Sequence, residues 1–268
     1  MDTLPLVTVV TPSYQQGHFI EETIQSVKSQ TYPRLEHIIV DGGSSDGTVD
    51  VLLKYEGTYN MRWISEPDRG QSEAINKGFR LANGQILSWL NSDDMYLPQA
   101  VECAVDYLNS HPRCDMVYGD YVMIDEQGRT IKPRKEIPFD LGMLIYTFGY
   151  VPSTTSFFRR RCVHEYGEWM NEDYHNVMDV DFFVRLGERG CRIAHIPAFM
   201  ARWRCYAGAK SFAPALRSRL KAELWDVRRK HGWHRSNGEP MPDAILSAGT
   251  VYYRLKRWFV KLFSGCYW

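Results

Sequence analysis

Short apolar runs alternate with helical stretches over the first half of the chain, and each run ends in a cluster of polar, loop-forming residues. Leu6-Val7-Thr8-Val9-Val10 leads into Thr11-Pro12-Ser13-Tyr14 and then a helical stretch from about Ile20 to Ser29. Glu36-His37-Ile38-Ile39-Val40 ends in Asp41-Gly42-Gly43-Ser44-Ser45-Asp46-Gly47-Thr48, after which Val49-Asp50-Val51-Leu52-Leu53 begins another helix. Ile86-Leu87-Ser88-Trp89-Leu90 stops at Asn91-Ser92-Asp93-Asp94. Runs of this length, bounded by such residues, read as buried strands. Strands alternating with helices require right-handed crossovers and a largely parallel sheet, which gathers the three polar tips at one edge. An open α/β sheet keeps its ligands at that edge.

At Asp93-Asp94 two carboxylates are neighbours where a buried strand gives way to a loop. Crowded anions raise each other's free energy unless a cation or a set of donors neutralises them. Mg²⁺ or Mn²⁺ holding a diphosphate meets that need, while an exposed acidic turn is the simpler account of any Asp-Asp pair. A dinucleotide-dependent oxidoreductase is excluded, because the first strand runs into Thr11-Pro12-Ser13-Tyr14 and not into a Gly-x-Gly-x-x-Gly turn.

A chain of 268 residues holds one large α/β domain with an appendage. No linker, repeat or low-complexity tract divides the first 210 residues, so residues 1–210 read as one domain and 211–268 as a helical extension. The formal net charge is zero, yet from residue 201 onward fourteen Lys or Arg face only four Asp or Glu. The stretch from Val251 to Phe263 interleaves basic and aromatic residues and is too short and charged to span a bilayer. Three placements are open to it: on an anionic membrane surface, against the catalytic domain, or against a second subunit of a homodimer. Nucleic acid is not an expected partner, since the front of the chain is acidic and carries no recognisable module. Met1-Asp2-Thr3-Leu4-Pro5 lacks the regions of a signal peptide, which points to a cytosolic, at most membrane-peripheral, protein. The cysteines at 103, 114, 162, 191, 205 and 266 show no metal-ligand spacing and are expected to be reduced.

Taken in order, Thr11-Pro12-Ser13-Tyr14, Val40 to Thr48, Glu66-Pro67-Asp68-Arg69-Gly70-Gln71-Ser72-Glu73-Ala74-Ile75-Asn76-Lys77-Gly78 and Asn91-Ser92-Asp93-Asp94 resemble the nucleotide-sugar half of family 2 glycosyltransferases. The match covers about the first 125 residues. A weaker one continues through Met178-Asp179-Val180-Asp181-Phe182-Phe183-Val184-Arg185-Leu186 to roughly Ser211. The resemblance implies a GT-A fold, a Rossmann-like, mostly parallel mixed sheet flanked by helices. Residues 1–125 would bind the nucleotide sugar, and 126–210 would form the acceptor and catalytic part. It further implies an inverting, divalent-metal-dependent enzyme of bacterial cell-surface polysaccharide synthesis. Such an enzyme passes a sugar from a nucleotide-diphosphate donor, with UDP the expected carrier, to a glycan or lipid-linked acceptor.

The same resemblance assigns roles. Nucleotide-sugar contacts are expected from Thr11, Pro12, Tyr14, Asp41, Asp68, Arg69, Gly70, Gln71, Asn91, Ser92 and Asp93. Asp41 would accept the N3 proton of a uracil, although a turn cap also suits Asp41-Gly42-Gly43. Pro12 and Tyr14 would line the base pocket, with Tyr14 stacking. Asp46 is expected to cap the next helix. Arg69 would pair with the diphosphate or, more simply, with Glu66 or Asp68. Asp93 would reach the ribose and Asp94 the metal, Mn²⁺ or Mg²⁺. Where relatives often supply a His, the stretch Arg202 to Ser211 has Cys205 and Tyr206, and Arg204 and Lys210 are candidates for neutralising phosphate. Asp179 and Asp181 are the candidate general bases, Asp179 standing where the family places its own, with helix capping as the alternative for either. Relatives often have Gln at Ser153, so the acceptor is not specified. Trp169, Tyr174 and His175 could stack on a sugar or form an aromatic cluster. A catalytically weak scaffold that binds nucleotide sugar or glycan at a membrane is the reading from another class.

Overall fold

In the computed structural model, which describes residues 4–210, 217–234 and 238–264, four strands and the helices between them set the frame. They are β1 (Val7–Ser13), α1 (Ile20–Lys28), β2 (Leu35–Asp41), α2 (Thr48–Tyr55), β3 (Met61–Ser65), α3 (Gln71–Leu81) and β4 (Ile86–Trp89). The chain continues through β5 (Met95–Tyr96), α4 (Ala100–Ser110), β6 (Met116–Ile124), β7 (Thr130–Arg134), α5 (Leu141–Thr147), a 3-10 turn at Ser153–Thr155 and β8 (Phe157–Arg159). It ends with α6 (Arg161–His164), α7 (Met178–Glu188), β9 (Ile193–Arg204), α8 (Arg217–His231) and α9 (Asp243–Phe263).

The described strands form one nine-stranded sheet in the order β3-β2-β1-β4-β8-β6-β9-β5, with β7 paired to β6. β3, β2, β1 and β4 are mutually parallel, and β8 is antiparallel to both β4 and β6. The register sets Ser13 opposite Asp41 and Asp41 opposite Ser65, while Trp89 ends β4 opposite Val10. The polar tips therefore meet at one edge, as the strand–helix alternation requires. The strand order reverses between β1 and β4, which opens a crevice beyond their carboxyl ends.

The aromatic centre of the core fixes α7 over that crevice. Trp89 is 1% exposed and stacks on Phe183 at 5.8 Å, with Phe79, Phe158 and Phe182 packed edge-on around it. Phe182 and Phe183 lie one helical turn after Asp179, so their burial against β4 holds the start of α7 near the strand's end. The last helices share this core through Val227 of α8 and Leu246 of α9.

On the same face α3 approaches β1 closely at Gly78, where a Cβ would lie 2.3 and 2.9 Å from the two Val10 methyls. Gly78→Ala should lower the melting temperature, because overpacking costs about 1–3 kcal/mol against a helix-propensity gain of roughly 1 kcal/mol. An unchanged or raised melting temperature would show that α3 does not sit this close to the sheet.

Candidate active site

Asp41 is fully buried at the end of β2. Its Oδ2 accepts the Gly43 and Ser44 amides at 3.1 and 2.8 Å and the Ser65 hydroxyl at 2.7 Å, and its Oδ1 accepts the Ser44 hydroxyl. The amide contacts form the Asx turn weighed from the sequence, with Gly43 at φ +81°. The turn uses most of the carboxylate and leaves Oδ1 one lone pair for a further donor. Ser65 enters only through β2–β3 register, which no local motif encodes. Beside Asp41, a Cβ on Gly42 would lie 3.0 Å from Asp68 Oδ2 and 3.2 Å from the Tyr14 ring. Asp68 and Tyr14 thus face each other across a glycine, and the Tyr14 ring is 62% exposed and open to stacking. Pro12 is buried opposite Val40.

Thr11 departs from its expected role. Its buried hydroxyl lies 2.9 Å from His37 Nε2 inside the sheet, and Tyr59 holds the other ring nitrogen. Side chains alternate along a strand, and both faces of β1 are buried, Thr11 sharing its face with Ile39 and His37 of β2. Burial pushes the His37 pKa down to about 3, so this imidazole is neutral and structural. Asp46 accepts the Thr48 amide and hydroxyl at the start of α2, as a capping residue does.

The acidic loop is held from the far strand. Asp94 is 1% exposed; its Oδ1 accepts the Arg204 amide at 2.9 Å and its Oδ2 the Asn91 side-chain amide at 3.2 Å. Tyr206, one of the two residues standing in for the usual His, donates to Asp93 Oδ2 at 3.2 Å. Burial raises the pKa of both acids, and for Asp94 the neighbouring Asp93 charge raises it further. Arg204 does not serve the phosphate role considered above. Its buried guanidinium donates to the carbonyls of Asp93 (2.9 Å) and Glu126 (2.6 Å), pairs with Glu22 (2.9 Å) and lies over the Phe19 ring. It organises the loop from behind.

A buried carboxyl beside a half-buried one, both with raised pKa and one of them raised by its neighbour's charge, fits a divalent cation on chemical grounds. The loop supplies only these two, so further ligands would be substrate phosphates and water, as at many Mg²⁺ sites. Among the described residues, a closer group of possible ligands is Asp115, Cys162 and Cys191, within 4.8 Å of one another. Sequence spacing did not reveal it. The Asp115 carboxylate is already engaged by Arg161 at 2.6 Å and the Arg192 amide at 2.9 Å, which disfavours a cation there.

From Asp94 a hydrogen-bonded chain runs toward α7. Asn91 Oδ1 accepts from Gln71 Nε2 at 2.7 Å, and Gln71 Oε1 accepts from Lys210 Nζ at 3.1 Å. Burial lowers the Lys210 pKa to about 8, opposed by the Asp179 charge. Burial raises the pKa of Asp179, opposed by the Val180 amide and by Lys210. Asp179 Oδ1 takes that amide at 2.8 Å, and no described residue bonds Oδ2. Asp181 is placed differently. It is 2% exposed, bonded to Arg185 at 2.8 Å and near His231, and its pKa is lowered, so its carboxylate belongs to a structural ion pair.

Other expected contacts sort similarly. Arg69 pairs with Glu73 (2.9 Å) and Glu172 (2.5 Å) at the exposed rim, since Glu66 is taken by Lys77 and Asp68 by the Gly70 amide. Gly70, at φ +126°, provides a backbone turn that a side chain would strain. Ser92 is buried in the acidic loop. Tyr174 is bound to Asp226 and Lys230 of α8, and Trp169 packs on His164 and Arg80, so neither is free to stack on a sugar. His175, Lys210, Gln71 and Gly70 line a small recess beside Asp179. A larger cavity of about 420 Å³, lined by Tyr107, His111, Arg113, Cys114 and Arg192, lies at the starts of β6 and β9, at the opposite edge of the sheet.

Residues 8–182 match the model of the family described as Glycosyl transferase family 2. An uncharacterized glycosyltransferase of Rickettsia felis is 31% identical over 191 residues, which is 68% of this chain and 31% of that protein. The chain thus spans about a third of that relative's length. Staphylococcus aureus TarS 1–349, solved in complex with UDP-GlcNAc, superposes with a TM-score of 0.69 at 17% identity over 96% of this chain and 74% of that one. The mannosyltransferase PcManGT of Pyrobaculum calidifontis, solved with GDP-Man and Mn²⁺, gives 0.66 at 20% identity over 97% and 72%. Motif order, sheet topology and family match agree: the chain belongs to glycosyl transferase family 2 and has the GT-A fold.

Proposed function

We propose that the protein is an inverting, divalent-metal-dependent glycosyltransferase acting on a nucleotide-diphosphate sugar, a UDP-sugar by preference. Its acceptor is a hydroxyl on a glycan or lipid-linked sugar of a cell-surface polysaccharide. The observation that carries this is Asp179, a half-buried carboxyl of raised pKa that feels the charge of Lys210, which Gln71 and Asn91 link by hydrogen bonds to the acidic loop. The nucleotide sugars held by the two structural neighbours, and the Mn²⁺ of one, support the donor class.

In this reading Asp41, Asp68 and Tyr14 take the base, and Asp93 takes the ribose. Asp94 would hold the cation, which when bound would supply Lewis-acid neutralisation of the diphosphate charge. Lys210 offers its ammonium to the same phosphates from the other side. The acceptor hydroxyl oxygen attacks the anomeric carbon while the bond to the diphosphate oxygen breaks, and the hydroxyl proton passes to Asp179 Oδ2. A single displacement inverts the anomeric centre, so an α-linked donor yields a β-linked product. The enzyme would work in the cytosol, peripheral to the membrane that carries a lipid-linked acceptor. Among the described residues no helix is long and apolar enough to cross a membrane.

Asp179→Asn should keep UDP binding and lose turnover by a factor on the order of 10² to 10⁴; unchanged turnover would remove Asp179 from the base role. Asp94→Ala should bind UDP equally weakly with Mn²⁺ and with EDTA, and a surviving Mn²⁺ effect would place the cation elsewhere. The pH profile tests Lys210. Its charge lowers the Asp179 pKa, so Lys210→Met should move the acidic limb of kcat/KM to higher pH, and a limb that stays in place would show that Lys210 does not act on the base.

A further inference from the structure

α9 carries two unlike faces. Its inner face is tied to the domain at α5 by reciprocal contacts in which Gly142 lies under Tyr253 and Gly249 under Tyr146, with the two tyrosine rings stacked at 5.2 Å. Ion pairs extend the contact: Lys256 to Asp140 at 2.6 Å, and Lys261 and Arg257 to Glu136 at 3.5 and 3.7 Å. The outer face presents Tyr252, Leu255, Trp258, Phe259, Leu262 and Phe263, between 47% and 83% exposed. At 100° per residue the exposed apolar positions of α9 fill one continuous arc of roughly 140°. A stripe of this kind is not needed to hold the helix on the domain, because the opposite face already does so.

What borders the stripe identifies its occupant. Arg254 and Lys261 fall along one margin and Lys256 along the other, and beyond Asp243 the helix has no acidic residue. Among the described residues the ion pairs of Lys256, Arg257 and Lys261 use two carboxylates, Asp140 and Glu136, so the cations of the helix keep a positive excess with Arg254 outermost. Two copies packed stripe to stripe about a twofold axis would bring these cationic margins together. An anionic bilayer supplies the missing charge, takes the apolar side chains below its headgroups and lets the long cations reach back to them. Trp258 and Tyr252 are residue types that favour the headgroup level. Arg254 is exposed and makes no ion pair with a described residue.

We propose that the outer face of docked α9 is a docking surface for anionic lipid bilayers, formed by an aromatic and aliphatic stripe beside the positive excess that Arg254 exposes. The helix lies in the interface without leaving the domain, and so holds the catalytic cleft at the membrane surface. The purpose of this contact rests on the lipid-linked acceptor of the preceding reading; the contact itself does not.

Vesicle flotation of the full chain tests it. The chain should float with phosphatidylglycerol vesicles and less with phosphatidylcholine vesicles. Leu255→Glu combined with Trp258→Glu should cut partitioning on the order of tenfold or more, with melting temperature and UDP-induced thermal shift as in the parent. Arg254→Glu should weaken binding to anionic vesicles more than to neutral ones. The proposal is overturned if the parent chain stays in solution with anionic vesicles, or if the double variant floats as well as the parent. A dimer that the double variant dissolves, without vesicle binding, would overturn it by giving the stripe to a second copy. Vesicle binding without any nucleotide response would leave this surface standing and count against the donor reading instead.

Discussion

The site depends on one buried cation. Arg204 ends β9, and its guanidinium spans from the Asp93 carbonyl to the Glu126 carbonyl and Glu22, while its amide grips Asp94. Burying a guanidinium is costly unless nearly every donor is used, and here the main chain supplies most of the acceptors. In return, two neighbouring carboxylates stay close at the end of β4. β9 is also the strand that pairs with both β5 and β6, so the short strand that follows the acidic loop is tied to the second half of the sheet by the strand that fixes that loop.

Against that frame the acids divide by environment. Asp181, Glu36 and Asp46 are satisfied by cations or backbone donors and have lowered pKa values. Asp93, Asp94, Asp68 and Asp179 have raised ones, and burial is the leading cause for each. A carboxyl kept short of partners in a folded protein is destabilising, and such groups collect where a ligand or a proton transfer completes them. Asp179 and Asp181 show the contrast within one turn of α7, where one carboxylate has an oxygen that no described residue bonds and the other an arginine.

Much of this was legible in the chain. β-branched runs ending in Asp, Gly and Ser marked β1, β2 and β4, and their parallel register follows from the helices between them. The acidic loop could be singled out because its chemistry is local and its place after β4 characteristic, whereas Asp179 stands out from Asp181 only because the resembled family places its base there. What was not legible required contacts between distant residues. The Thr11 hydroxyl is engaged by His37, across the strand pair. Arg69 pairs with Glu172, and Arg204 with Glu22, across 103 and 182 residues of chain. The tail raised a choice between domain and membrane, and the two faces of α9 show that packing on the domain does not use up its apolar residues.

The central claim is that the crevice beyond β1, β2 and β4 binds a nucleoside diphosphate through Asp41 and, with a cation, through Asp94. Thermal shift of the purified chain with UDP, dTDP, GDP and CDP, each in Mn²⁺ and in EDTA, measures this directly. The account expects stabilisation by UDP in Mn²⁺ that EDTA abolishes. A chain that no nucleoside diphosphate stabilises in the presence of metal would contradict it.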